Sequence, residues 1–369
     1  MTRTAQRRPD DGFVRLSEPF RRELLAHCYR MLGSIHDAED LVQETYLQAW
    51  RGYGGFEGRS SLRTWLYRIA TRACLKALEG NGRRPLPSGL GGPSDDPDET
   101  PRPRLPETPW LQPAPDALFG ADPAAIVQAR QTMRLAFIAA LQHLPGRQRA
   151  VLILRDVLAW RAAEVADLLD TTTAAVNSAL QRARAQLSLV APAEDGLTEP
   201  TDPDQRALLD RYAAAFENAD IAALTGLLTD DAIWEMPPIP TWFAGREAVG
   251  RFLATRIGTA GDYRMVPAKV NGQPAFGSYA RGHDGVYRPH ALQVLSVTGK
   301  GVARIVAFLD ADLFAPCGLP SALDALGSTA HEGGGPLARG CEKRPRPPAM
   351  RDPGRSATGP HSLVSPACS

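Results

Sequence analysis

Paired cysteines are missing from this sequence. Its five (Cys28, Cys74, Cys317, Cys341 and Cys368) are scattered, and no two form a C-x-x-C. That scatter argues against a disulfide framework and against a zinc site, and it fits a reducing compartment. Long apolar runs are missing too. No stretch approaches the roughly 18 residues of a membrane span, so no membrane partner is expected. The opening residues, MTRTAQRRPDDGF, hold no apolar segment of the kind a signal peptide needs. A cytoplasmic protein is therefore the expectation, with no metal and no cofactor. Internal repeats are absent as well. What remains is ordinary soluble composition, 43% hydrophobic and 22% charged, in a chain of 369 residues that suffices for two or three domains.

A net charge of +1 conceals uneven blocks. Residues 1–79 carry 13 basic and 10 acidic groups, and residues 128–190 carry 8 and 4. The stretch between them, 80–127, carries 4 and 7, while 191–319 carries 11 and 16. Nucleic acid is a plausible partner for the two basic blocks and an implausible one for the acidic blocks.

Hydrophobic periodicity places helices at Glu18 to Leu32, Asp37 to Arg51 and Ser61 to Glu79. Residues 83–123 are dense in proline, glycine and acid, and read as a flexible, extended linker. Helical pattern returns over 124–190, and a short linker, 191–203, follows. Two further helices, Gln205–Asn218 and Ile221–Leu228, lead into the strand-like AIWEMP, YRMVPAKVNG, PAFGSYARG, HALQVLSV and VARIVAFLD, interrupted by one helix at Gly245–Ile257. Helices followed by a run of antiparallel strands suggest an α+β unit over 204–317. Residues 318–369 are expected to be a disordered tail. The fold class is thus multidomain: two all-α domains (14–82 and 124–190) and one α+β domain.

Three segments carry chemistry. In HDAEDLVQETYLQAW, Ala38, Leu41, Val42, Thr45 and Ala49 share one helix face while Asp37, Asp40 and Glu44 line another. Like charges at that spacing repel, which a basic partner would offset. In FEGRSSLRTWLYRIATRACLKAL, Ser60 or Ser61 can cap a helix that interleaves aromatics with Arg63, Arg68, Arg72 and Lys76. Rings that stack on bases beside cations that track phosphates are what single-stranded DNA requires. In the third, Arg161–Leu169 and Thr173–Leu187 read as two helices joined by a turn at Asp170–Thr172, a helix-turn-helix with Thr172 as N-cap.

Together and in this order, these segments resemble sigma-70-class factors of the extracytoplasmic-function (ECF) branch. The resemblance implies core RNA polymerase and promoter DNA as partners. By position it makes Asp37, Glu39, Asp40, Gln43, Glu44 and Trp50 polymerase contacts. Phe56, Arg59, Ser60, Arg63, Trp65, Arg68 and Arg72 become contacts to the minus-ten element, where a base is captured from the melted strand. Thr172, Thr173, Ala174, Asn177, Ser178 and Gln181 would face the minus-thirty-five element, with Arg182 and Arg184 on phosphates. The pattern departs from its relatives in places: Arg72 stands where many carry Asn, Asp170 where the turn Gly is usual, Asn177 for a Lys and Ala179 for an Arg.

Residues 204–315 resemble the cone-shaped NTF2-like fold in its SnoaL-like branch, through the opening helices, WFAGREAVGRFL, the NGQPA hairpin and the closing IVAFLD. Trp234, Met236, Trp242, Phe252, Tyr279 and His290 would line a pocket for a small molecule. No acid–base spacing stands out, so no catalytic residue is assigned and a regulatory role is expected of this domain. The alternatives are an NTF2-like isomerase or cyclase fused to a DNA-binding module, and a helix-turn-helix repressor with a ligand-sensing domain. The acidic helix face separates them, because only a polymerase-docking protein has use for it.

Overall fold

The computed structural model describes residues 9–80, 82–98, 100–119, 132–190 and 203–324. The first helical domain holds α1 (Pro9–Ser17), α2 (Arg21–Leu32), α3 (Ile35–Gly52) and α4 (Leu62–Gly80). Helix α2 buries Leu24, Leu25, Cys28, Met31 and Leu32, an i, i+1, i+4, i+7, i+8 stripe. It stops at Gly33, whose φ of +69° closes the last turn in the left-handed region. Ser34 then caps α3, its Oγ accepting from the Asp37 amide at 3.2 Å. Ser61 rather than Ser60 caps α4, accepting from the Thr64 amide at 3.0 Å.

His27 of α2 is wholly buried against α4. Its Nε2 lies 2.9 Å from Thr71 Oγ1, and Nδ1 has no hydrogen-bond partner among the described residues. Burial, reinforced by nearby Arg30, pushes its pKa down to about 3. The unfolded chain protonates it near the ordinary 6.5, so the stability it contributes is complete above that pH. The contribution is lost as pH falls toward 3, at about 1.4 kcal/mol per unit. Between pH 7 and pH 5 the unfolding free energy should drop by ~2 kcal/mol more in the wild type than in His27→Gln, as read by urea titration.

The second helical domain holds α5 (Leu135–Leu141), α6 (Gly146–Leu152), α7 (Ala162–Leu168) and α8 (Thr173–Val190). The helix-turn-helix expected at Arg161–Leu169 and Thr173–Leu187 is α7 and α8. Val165, Leu168, Val176 and Leu180 are buried where the helices cross.

The third domain opens with α9 (Pro203–Glu217) and α10 (Ile221–Leu227). A six-stranded sheet follows in the order β2-β1-β6-β5-β4-β3, with α11 (Arg246–Ala254) between β2 and β3. The strands are β1 (Leu228–Met236), β2 (Ile239–Ala244), β3 (Tyr263–Val270), β4 (Gln273–Arg281), β5 (Tyr287–Thr298) and β6 (Gly301–Phe308). Neighbours are antiparallel except β1 and β6, which run parallel. One face of the sheet packs on α9–α11 to fill the cone with Tyr212, Phe216, Trp234, Phe243, Phe252 and Phe276. The opposite face, through Val270, Tyr279, Val294 and Phe308, joins the same apolar cluster as the two helical domains.

Two expectations need correction. Residues 83–119 are not a loose tether. Leu86, Pro87, Leu111 and Ala114 are buried, and the backbone is bonded to the third domain and to α2. Ser94 N–H donates to Trp242 O (2.7 Å), Leu105 N–H to Pro238 O (3.0 Å) and Gln112 N–H to Gly33 O (3.0 Å). Asp98 pairs with Arg251. Proline-rich chain cannot pair as a full strand, but it lies along the exposed edge of β2 and covers it. The expected tail also begins too early. Leu319 and Leu323 are buried, and Leu323 exchanges two backbone hydrogen bonds with Tyr287. Residues 120–131, 191–202 and 325–369 lie outside the described residues, and with them most of the expected second linker and tail.

Candidate polymerase and promoter interfaces

Helix α3 places its acidic face outward. Asp40, Gln43, Glu44 and Trp50 are exposed, and Gln48 Nε2 donates to Glu44 Oε1 at 2.8 Å. Glu39 is half-buried. Asp37 is held within the chain by Arg84. Leu47, 54% exposed between Gln43 and Trp50, belongs to this face and was missed in the sequence because it reads as a core residue. An exposed leucine and tryptophan among carboxylates form an apolar centre with a charged rim, the anatomy of a protein-docking patch.

The loop 53–61 and the start of α4 cluster their rings. Phe56 lies 4.9 Å from Trp65 and 6.3 Å from Tyr53 by centroid. Trp65 is half-buried and Tyr67 fully buried, so Tyr67 is core. Arg59 and Ser60 sit at the loop, Arg59 paired to Glu57. Arg63 forks onto Glu23 at 2.7 and 2.9 Å, which raises its pKa further. Arg68 and Arg72 reach acids of the second domain.

On α8, Thr173, Ala174, Asn177, Gln181 and Arg182 are exposed, as is Thr172 just before it; Ser178 is half-buried. Thr172 Oγ1 accepts from Ala175 N–H at 3.1 Å, the expected cap. Arg182 donates to Ser178 Oγ, and Arg184 is bidentate to Asp156 at 2.7 and 2.9 Å. The exposed members of the predicted set lie on α8 and its cap, while Ser178 is half-buried and Arg184 is held by Asp156.

The six predicted pocket residues are not brought together. Trp234, Met236 and Phe252 fill the cone as core. Tyr279 is on the other face of the sheet, ring to ring with Phe314 at 5.2 Å, its hydroxyl donating to Pro320 O. Trp242 points out to Gly91 O, and His290 lies at the rim beside Tyr263. His290 is solvent-exposed on β5, and partial desolvation of the ring with Arg104 near lowers its pKa. An open cavity of about 560 Å³ lies elsewhere, between α9 and the β3–β4 hairpin. Among the described residues no cluster of His, Cys, Asp and Glu could hold a metal ion, and no helix is long and apolar enough to cross a membrane.

The tip of the NGQPA hairpin makes contacts that sequence reasoning did not assign to it. Asn271 and Gly272 have φ of +56° and +66°, the two-residue turn that Asn-Gly favours. Asn271 is wholly buried. Its Nδ2 donates to Tyr29 Oη (2.8 Å) and Met133 O (2.7 Å), and its Oδ1 accepts from Ala114 N–H (2.8 Å). Gln273 Oε1 accepts from Leu135 N–H, and Gly272 N–H donates to Asp116. One turn thus touches both helical domains and the segment that joins them.

An acidic docking helix, a helix-turn-helix and a cone-shaped α+β domain define a multidomain factor that meets both a protein machine and DNA. Sigma-70 region 2 matches residues 16–84, Sigma-70 region 4 matches 134–187, and the SnoaL-like domain matches 209–310. The chain is 55% identical over 322 residues to ECF RNA polymerase sigma factor SigG of Mycobacterium tuberculosis, covering 86% of each. It is 29% identical over 294 residues to SigJ of the same species, covering 76% of this chain and 86% of that one. The crystal structure of SigJ aligns with a TM-score of 0.55 at 26% identity, over 83% of this chain and 99% of that chain. The chain belongs to the ECF sigma factors of the sigma-70 family. It binds core RNA polymerase and promoter DNA to direct initiation, carries a C-terminal SnoaL-like domain, and is a sigma factor rather than an enzyme.

Proposed function

We propose that the SnoaL-like domain regulates this sigma factor by holding regions 2 and 4 against each other through the β3–β4 turn, in the cytoplasm where core polymerase acts. The buried Asn271, bonded at once to Tyr29, Ala114 and Met133, is the observation that carries this reading. Regions that must reach two separated promoter elements have to part, and parting breaks these bonds. A small molecule fits the cavity beside the turn better than the filled cone. That cavity combines the apolar Leu209, Met265 and Phe276 with two cations (Arg206, Lys269) and two carboxylates (Asp116, Asp210), and shares Gln273 with the turn, so a small molecule with an apolar body bound there would bear on the clasp.

Asp40, Gln43, Glu44 and Trp50, with Asp37 and Glu39 beside them, dock on polymerase. Phe56, Arg59, Ser60, Arg63, Trp65, Arg68 and Arg72 meet the minus-ten strand. The exposed residues of α8 and its cap read the minus-thirty-five element. Asp40→Arg combined with Glu44→Arg should weaken binding to core polymerase by about tenfold or more, as measured by fluorescence anisotropy, while the melting curve stays unchanged. Run-off transcription on fragmented genomic DNA, comparing the full chain with one ending at Pro200, tests the regulation. A higher yield from the short chain is expected, and equal yields would remove the regulatory role.

A further inference from the structure

The cations of α4 do not face solvent alone. Arg68 Nη2 lies 2.6 Å from Asp167 Oδ2 and 3.1 Å from the Asp167 carbonyl oxygen. Arg72 donates to Asp170 Oδ2. Behind them the Tyr67 and Trp160 rings meet at 5.3 Å, and Arg63 sits 4.9 and 5.9 Å above the two. Each of the three arginines of α4 therefore ends on a carboxylate of its own chain, two of them on the helix-turn-helix.

The Arg72–Asp170 pair is set at the turn of the helix-turn-helix. Asp170 holds a φ of +51°, a strained angle for a residue with a Cβ, and Thr171 N–H then bonds Ala166 O at 2.9 Å. Glycine would relieve that strain and bring no charge.

These pairs are open to water, with side-chain exposures of 30% and 78% for Arg68 and Asp167, and 54% and 72% for Arg72 and Asp170. Exposed pairs are weak and screened by salt, so they are not what keeps the regions together. Their effect is occupancy, because a guanidinium on a carboxylate is not on a phosphate. We propose that Asp167 and Asp170 stand in for the promoter backbone, neutralising Arg68 and Arg72 in the free factor so that single-stranded DNA must compete with region 4 for them. This deepens the promoter role proposed for those two arginines and rests on it.

The test is binding of a fluorescein-labelled 20-nucleotide single strand of mixed sequence to the full chain, without polymerase, across a salt series. Asp167→Asn with Asp170→Asn keeps size, and Asn tolerates the left-handed angle. That variant should bind about tenfold tighter at low salt, and its log K against log salt slope should steepen by about 1.4, or 0.7 for each of two added phosphates. Adding Arg68→Ala and Arg72→Ala should abolish the gain. If the acid variant misfolds by circular dichroism, Asp170→Asn alone carries the test, with half the change in slope. Unchanged affinity in the acid variant, with the arginine changes weakening binding in both backgrounds, overturns the stand-in and leaves the promoter role. Arginine changes without effect in either background overturn both. A gain that survives loss of the arginines is a net-charge effect and also overturns the stand-in.

Discussion

Asn271→Ala is expected to lower the thermal midpoint by ~10 °C, on the scale of about 2–4 °C per kcal/mol for domains of about 150–250 residues. The change strips the partner from the buried Ala114 N–H, removes a donor from Met133 O, and takes one bond from Tyr29 Oη, which keeps its own donation to Gln112 O at 2.8 Å. An orphaned buried donor costs about 1–3 kcal/mol and the other two losses about 1 each. The left-handed backbone adds about 1 kcal/mol for alanine over asparagine. The sum is ~4–6 kcal/mol, among the larger effects of a single substitution. Asn271→Gly separates the parts: it loses the same bonds but not the backbone tolerance, so its midpoint should lie ~2–3 °C above that of the alanine variant. Scanning calorimetry should also show the SnoaL-like domain melting apart from the helical regions in both variants. A single transition at the wild-type midpoint would remove the turn as the clasp.

Much of the helical architecture was legible because a one-sided apolar stripe needs only local chemistry. The helix-turn-helix was placed within a residue at α7, and Thr172 at its cap. The sheet was less legible. Strand β2 is six residues with Pro240 inside it and a Pro-Pro before it, which reads as loop until a neighbouring strand supplies its partners. The pocket failed on parity. Trp242 pairs with Glu235, one residue from Trp234, so it points away from the face that Trp234 and Met236 share. Phe276 and Tyr279 divide the same way between the two apolar clusters. Composition misled at 83–119. Proline and acid suggested a tether, yet Leu86, Leu111 and Ala114 were apolar positions waiting for a surface that distant parts of the chain had to provide. The contacts of Asn271 and of the Arg72–Asp170 pair carry no local signal, since each partner lies about a hundred or more positions away.

Arg149→Lys is expected to destabilise the free factor nearly as much, through a second joint between regions 2 and 4. The Arg149 side chain is buried in α6, and its Nη1 donates to Met31 O at the end of α2 and to Gln142 Oε1 at 2.8 Å. Its Nη2 donates to Gln142 O (3.3 Å) and Leu144 O (3.1 Å). Burial pulls its pKa down to about 10, which leaves it charged at neutral pH. Only a planar fork meets acceptors on two sides at once, and an ammonium on a flexible stem abandons some of them. A loss of ~2–4 kcal/mol for lysine, and ~3–5 kcal/mol for alanine, should appear as a lower urea midpoint. Both joints end on α2, Asn271 at Tyr29 and Arg149 at Met31, so the two substitutions act on one opening event. The double variant should therefore fall short of the summed single losses by more than about 0.5 kcal/mol, the margin that independent sites respect. Strict additivity would mean that region 4 and the SnoaL-like domain leave region 2 separately, and that neither alone holds the factor closed.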